Sequence, residues 1–216
     1  MTSKNNDLTG PDSNEFDQKA REWDKNKMHV ERTIAIAEQL QKSVTIKPGM
    51  HAMEFGAGTG LLSFHLKNLF SEILLVDTSP EMLKMAEEKM EADDRVKFRT
   101  LLLNLEKEDY HGGLFDIIYS QMVLHHIGDT SAILQKFFHL LKPGGILAIA
   151  DLYTEDGAFH DGDPNVHKGF DPENLVSVLS SLGFQNGKID PCFVIKKVGP
   201  DESIKEFPVF LMTAFR

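Results

Sequence analysis

From Met50 to Leu152 the chain alternates short apolar runs with segments whose apolar residues recur at helical spacing, and this rhythm limits the fold more than any other feature. The runs Met50–Phe55, Ile73–Asp77, Val96–Leu102, Phe115–Ser120 and Ile146–Leu152 read as strands. Between them lie helical stretches. Leu61–Leu69 turns Leu62, Leu66 and Leu69 inward, Ser79–Pro80 opens a helix with Met82, Met85 and Ala86 as its stripe, and Asp129–Leu141 is stopped by Pro143-Gly144-Gly145. Proline in a first turn costs nothing, because that amide has no helical partner. Strands separated by helices run parallel through right-handed crossovers, so the expected fold is α/β, a single Rossmann-like doubly wound sheet. The rhythm then changes. After a helix over Pro172–Leu182, the runs Cys192–Val198 and Phe207–Phe215 have no helix between them, which predicts an antiparallel pair at one edge of the sheet.

Ahead of the sheet the spacing predicts two helices. Asn14 caps the first, which places Phe16, Ala20 and Trp23 on one face. The second covers Val30–Val44 with Ile34, Ala37, Leu40 and Gln41 along one side, and Pro48–Gly49 closes it. Residues 1–13 are polar, with a break at Gly10–Pro11, and are expected to be a disordered tail. The chain thus divides into that tail, an N-terminal helical cap over residues 14–47 and an α/β domain over residues 48–216. Its 216 residues suit one such domain better than two.

Chemistry is concentrated where the first core strand ends, at Glu54-Phe55-Gly56-Ala57-Gly58-Thr59-Gly60. Glycines there let the backbone turn sharply and approach a ligand, and the next helix aims free amides at it. The spacing is not the G-x-G-x-x-G of a dinucleotide site, because Leu61 stands where that pattern continues, which disfavours a nicotinamide-dependent oxidoreductase. Asp77 closes the next strand, where an acid can take both hydroxyls of a ribose.

These residues, with Val76–Asp77, Ser79-Pro80-Glu81-Met82-Leu83, Phe115-Asp116-Ile117-Ile118, Leu124-His125-His126 and Leu141-Lys142-Pro143-Gly144-Gly145, resemble the class I S-adenosylmethionine (SAM)-dependent methyltransferases. The likeness runs from about Phe16 to Phe215 and is strongest to the small-molecule group related to the ubiquinone-biosynthesis enzymes. It implies SAM as cofactor and S-adenosylhomocysteine (SAH) as product. It also implies that Glu54 and the backbone of Gly56, Ala57, Gly58 and Gly60 hold the methionine part, Asp77 the ribose, and Thr78 and Met82 the border of the adenine. Asn104, followed by Leu105, stands where the family often has an acid for the adenine amino group. Gln121 would lie near the methionine ammonium and His126 near the reactive end. The helix carrying Trp23 resembles the cover such enzymes close over SAM, or else anchors itself to the core through that ring.

The acceptor side is read from position in the fold. His125 and His126 follow the fourth strand, at the carboxyl edge where open α/β sheets place ligands, either as a base or as pocket wall. The long stretch Tyr153–Gly169 follows the fifth strand and is expected to select the acceptor, with Tyr153 facing it and His160 or His167 as a general base. A solvated acidic loop is the plainer alternative. His and carboxylates in that stretch also suit a metal, but none is assigned. A formal charge of −10 with scattered Lys and Arg argues against a nucleic-acid partner, and the apolar runs are too short for a bilayer. One cysteine, Cys192, excludes an internal disulfide framework and suits a cytoplasmic protein. The function expected is methyl transfer to a small-molecule acceptor. A SAM-binding sensor or partner subunit without catalysis would carry the same motifs, and no residue pattern specifies an oligomeric state.

Overall fold

The computed structural model describes residues 13–198 and 202–216. The expected tail lies outside these up to residue 12, whereas Ser13 already opens helix α1 (Ser13–Trp23), so Asn14 stands inside the helix rather than before it. Helix α2 (Lys27–Ser43) starts earlier than the spacing predicts, because the Asn26 side chain accepts the amide of Met28 and caps it there. Its inward face is also rotated. Arg32, Thr33, Ile36, Ala37 and Leu40 are buried, while Ile34 and Gln41 are exposed.

The alternating part forms strands β1 (His51–Phe55), β2 (Glu72–Asp77), β3 (Phe98–Leu102), β4 (Phe115–Gln121) and β5 (Leu141–Leu152). Helices α3 (Leu61–Leu66), α4 (Pro80–Lys89), α5 (Asp94–Lys97) and α6 (Thr130–Leu140) fall between them. Helix α7 (Pro172–Ser181) precedes β6 (Gln185–Val198) and β7 (Ile204–Phe215). Together the strands make one sheet in the order β3-β2-β1-β4-β5-β7-β6. The first five are mutually parallel, and β7 runs antiparallel to both β5 and β6. The expected doubly wound sheet with an antiparallel edge is therefore present.

Successive residues along β1 and β4 enter opposite cores, Ala52, Ile117 and Tyr119 on one face and Met53, Ile118 and Phe55 on the other. Burial on both faces is why these strands read as unbroken apolar runs. Several strand boundaries differ from the sequence pattern: β5 begins at Leu141 and includes Pro143-Gly144-Gly145, and β7 begins at Ile204. Val96 is 81% exposed in the single turn of α5, where Asp94 holds Lys67 at 2.8 Å, so β3 begins only at Phe98. Strand β6 starts seven residues before Cys192, over a segment whose residues are mostly exposed and lack an apolar signal.

Candidate active site

The glycine turn hangs between the ends of β1 and β2. Gly56, Gly58 and Gly60 all adopt positive φ, at 65°, 54° and 75°. At Gly56 a Cβ would lie 2.4 Å from a methyl of Val123, so the loop after β4 closes directly on the glycine. The Ala57 amide donates to the Val76 carbonyl at 3.0 Å. The Gly58 and Ser79 amides donate to the two oxygens of Asp77 at 2.7 and 2.8 Å. The carboxylate is thereby pinned at the wall of a cavity. Burial pushes the Asp77 carboxyl up while these amides pull it down.

That cavity has a volume of about 1810 Å³ and is lined by Gly56, Ala57, Gly58, Asp77, Thr78, Met82, Asn104, Leu105 and Gln121 among others. A single small ligand usually occupies a cleft of about 300–1,000 Å³, so the space admits two molecules. Asn104 reaches it, although its Oδ1 accepts the Glu106 amide at 2.9 Å. Gln121 is held by the Thr33 hydroxyl, which donates to its Oε1 at 3.1 Å.

Two residues expected at the cofactor stand behind the loop instead. Glu54 is fully buried and does not line the cavity. Its Oε2 accepts the amide and hydroxyl of Ser63, so it fixes the start of α3, and burial pushes its carboxyl up to about 8. Gly60 is the left-handed residue that opens α3 and is likewise off the cavity wall.

The far end of the cavity is an imidazole chamber. His125 is buried, and its Nδ1 meets Asp151 Oδ1 at 2.7 Å. Its ring lies 4.1 Å from that of His126 and 5.0 Å from that of His160, centre to centre. His126 Nδ1 and His160 Nε2 are buried without a hydrogen-bond partner. Burial and then the neighbouring His125 hold His126 at about 2 and His160 at about 4, so both rings are neutral near pH 7. One nitrogen from each of the three rings falls within 4.8 Å of the others, a donor set that suits a borderline cation.

His167 and Tyr153 are not on the cavity wall. The amide of His167 donates to the His125 carbonyl, and its Nε2 meets the Ile127 carbonyl, both at 2.8 Å, so His167 clamps the loop that carries the pair. Tyr153 packs edge-on against Phe210, 5.3 Å between ring centres. The stretch from Tyr153 to Gly169 is not a loose acidic loop. Glu155 accepts the amides of Gly157 and Phe159, which turns Phe159 into the core and His160 into the chamber.

Helix α1 roofs the cavity. Phe16 meets His126 edge-on at 5.6 Å, and Trp23 lies 6.2 Å from Phe16 and 4.3 Å from His29. Asp17 accepts the hydroxyl of Ser79, and Asp24 accepts that of Thr59 and pairs with Lys89 at 2.6 Å. The cover is therefore tied to the elements that hold Asp77.

Periodicity missed Arg32, Thr33 and Lys197. Arg32 lies away from the Ile34 side on which the spacing set the inward face, Thr33 is a polar residue on the side of Ala37 and Leu40, and Lys197 belongs to an edge strand. All that marked Arg32 was its place one residue from a helix's apolar stripe.

A doubly wound sheet with this strand order, a glycine turn after β1 and an acid ending β2 defines the class I SAM-dependent methyltransferase fold. Residues 53–147 match the family model described as a methyltransferase domain, and the chain is similar to the class I SAM-dependent methyltransferases. An uncharacterized methyltransferase of Schizosaccharomyces pombe is 30% identical over 159 residues, covering 66% of this chain and 56% of that one. A ubiquinone biosynthesis O-methyltransferase of Xanthomonas campestris is 32% identical over 114 residues, covering 52% and 47%. The chain thus spans about half the length of these curated relatives. Among solved structures, the N-methyltransferase NodS of Bradyrhizobium japonicum in complex with SAH superimposes with a TM-score of 0.65 at 15% identity, covering 98% of this chain and 99% of that one. A chain of the complex between the Haloferax volcanii Trm112 methyltransferase activator and a methyltransferase reaches 0.77 at 17% identity, covering 93% and 97%.

The cavity suits SAM on its own terms. Gly56 and Gly58 present bare backbone at the cavity wall, two amides fix the Asp77 carboxylate there, and Met82 and Leu105 add apolar walls.

Proposed function

We propose that the protein is a cytoplasmic enzyme that transfers the methyl group of SAM to a small-molecule acceptor, with no nucleic-acid or membrane partner. One observation carries this reading. The same cavity that is lined by the glycine turn and Gln121 is also lined by His125, His126 and His160, which leaves room for an acceptor beside the cofactor. A protein that only sensed the cofactor would need no such room.

Bound SAM supplies an electrophilic methyl group whose carbon–sulfur bond breaks as the acceptor's new bond forms. The chain's part is positioning and exclusion of water. Asp77 and the Gly56–Gly58 backbone fix the cofactor, while Thr33 fixes Gln121. Phe16 and Trp23 close the roof. A proton that an acceptor hydroxyl sheds as its oxygen bonds the methyl can pass to the unpartnered Nε2 of His160, neutral near pH 7, whereas His126, held at about 2, is too weak a base for that step. His125, with Asp151 behind it, orients the pair.

Incubation with methyl-labelled SAM and a pool of small metabolites, followed by mass spectrometry, tests the proposal. A labelled product that disappears in His160→Ala supports it, and SAH binding without label transfer to any acceptor identifies a sensor instead. No helix among the described residues is long and apolar enough to cross a membrane.

A further inference from the structure

Arg32 is only 5% exposed, lines the cavity, and forms no ion pair among the described residues. Its one hydrogen-bond contact is from Nη1 to the sulfur of Met28 at 3.9 Å, and its Nε is buried without a partner. A guanidinium left this way is costly unless something neutralises it. Asp151 is the nearest buried acid but is already engaged. Its Oδ1 meets the His125 ring and accepts the Leu152 amide, and its Oδ2 accepts the His125 amide. Burial pulls the guanidinium down to about 10, which still leaves it charged near neutral pH.

A second cation faces the same chamber. Lys197 lies over the ring of Phe159 at 4.1 Å and donates to the Phe159 carbonyl; it feels Asp161 and Glu155 but forms no ion pair among the described residues. Lys197 has Asp161 and Glu155 in its surroundings, whereas Arg32 has only the engaged Asp151, so in a chain of net charge −10 it is chiefly Arg32 that points to a charge supplied from outside.

We propose that Arg32, assisted by Lys197, makes the imidazole chamber a subsite for an acidic acceptor, whose carboxylate or phosphate group pairs with the guanidinium. The guanidinium fork matches such oxyanions in two parallel hydrogen bonds. The position of Arg32 favours the acceptor over the cofactor's own carboxylate. It interacts with Asp151 at the end of β5 and Cys192 on β6, whereas the glycine turn follows β1, beyond β4 in the sheet. The two unpaired cations also disfavour a metal ion between the imidazoles, because like charges would crowd one enclosed space.

This rests on the methyl-transfer reading only in assigning the imidazole chamber to the acceptor. The test uses the full chain saturated with SAH, probed with benzoate, phenyl phosphate and the neutral benzamide by calorimetry and ligand-observed NMR. Benzoate or phenyl phosphate is expected to bind about tenfold more tightly than benzamide, and Arg32→Gln is expected to erase the difference with SAH affinity unchanged. Arg32→Lys, which keeps the charge, should retain part of it. Equal binding of the three probes by the unaltered protein overturns the subsite, and that measurement needs no variant to fold. Loss of SAH affinity in Arg32→Gln also overturns it, by giving the arginine to the cofactor. Failure of the unaltered protein to bind SAH would instead sink the methyltransferase reading itself.

Discussion

Asp77 and the imidazoles carry the consequences at the scale of single residues. Asp77 accepts two backbone amides and still presents its carboxylate to the cavity, so its loss removes both a ligand contact and the brace of the glycine turn. Asp77→Ala is expected to weaken SAH about tenfold or more in calorimetry, and an unaltered constant would refute the cradle. Protonation gives the second consequence. His126 and His160 titrate at about 2 and about 4 when folded, against 6.5 when free. Below pH 6.5 the unfolded chain therefore binds more protons than the native one, and stability falls as the pH drops. For His160 the loss begins near 6.5 and is complete once the pH passes below about 4. Urea midpoints measured across that window should decline less steeply in His160→Gln. The glycines and Asp77 were legible in the sequence because their roles are local, set by backbone freedom and the end of one strand. Arg32 was not, since a charged residue beside a helical apolar stripe counts as solvated until the partner surfaces are known. His167 and Tyr153 failed for the opposite reason. Position alone put them over the pocket, whereas their polar and aromatic groups satisfy the Ile127 carbonyl and Phe210.

Among the elements, α1 and the glycine turn are joined through a few contacts. Asp24 holds both Thr59 in the turn and Lys89 at the end of α4. Because that ion pair is partly solvated, Asp24→Ala should alter global melting little while raising hydrogen exchange over residues 13–23 and speeding SAH release. An unchanged exchange pattern would show that Phe16 and Trp23 suffice to hold the roof. At the turn, Gly56→Ala combines positive φ with a Cβ 2.4 Å from Val123, and a loss of about 1–3 kcal/mol is expected from thermal melts. The presence and type of most elements followed from periodicity, but α2 shows where that guide slips. Ile34 looked inward by spacing, yet the helix packs on β6 and β7, which places Thr33 and Ile36 against the protein.

The whole molecule is a sheet whose two ends have different jobs. The ends of β1 and β2 carry the glycine turn and Asp77, while the imidazoles come from the segments after β4 and β5, with Arg32 from α2 and Lys197 from β6 beside them. Phe210 in β7 is fully buried, and its backbone sits between Asp151 and Pro191. Phe210→Ala is expected to cost about 3–5 kcal/mol in chemical denaturation, with the chamber disturbed more than SAH binding. The threading of β7 between β5 and its own predecessor also dictates an order of assembly. β6 pairs with no strand other than β7, so as the chain emerges the glycine turn and Asp77 can close first while the β6 edge stays open. The parts that choose what is methylated are then the last to become rigid, and pulse-labelled exchange during refolding should find residues 51–121 protected before residues 185–198.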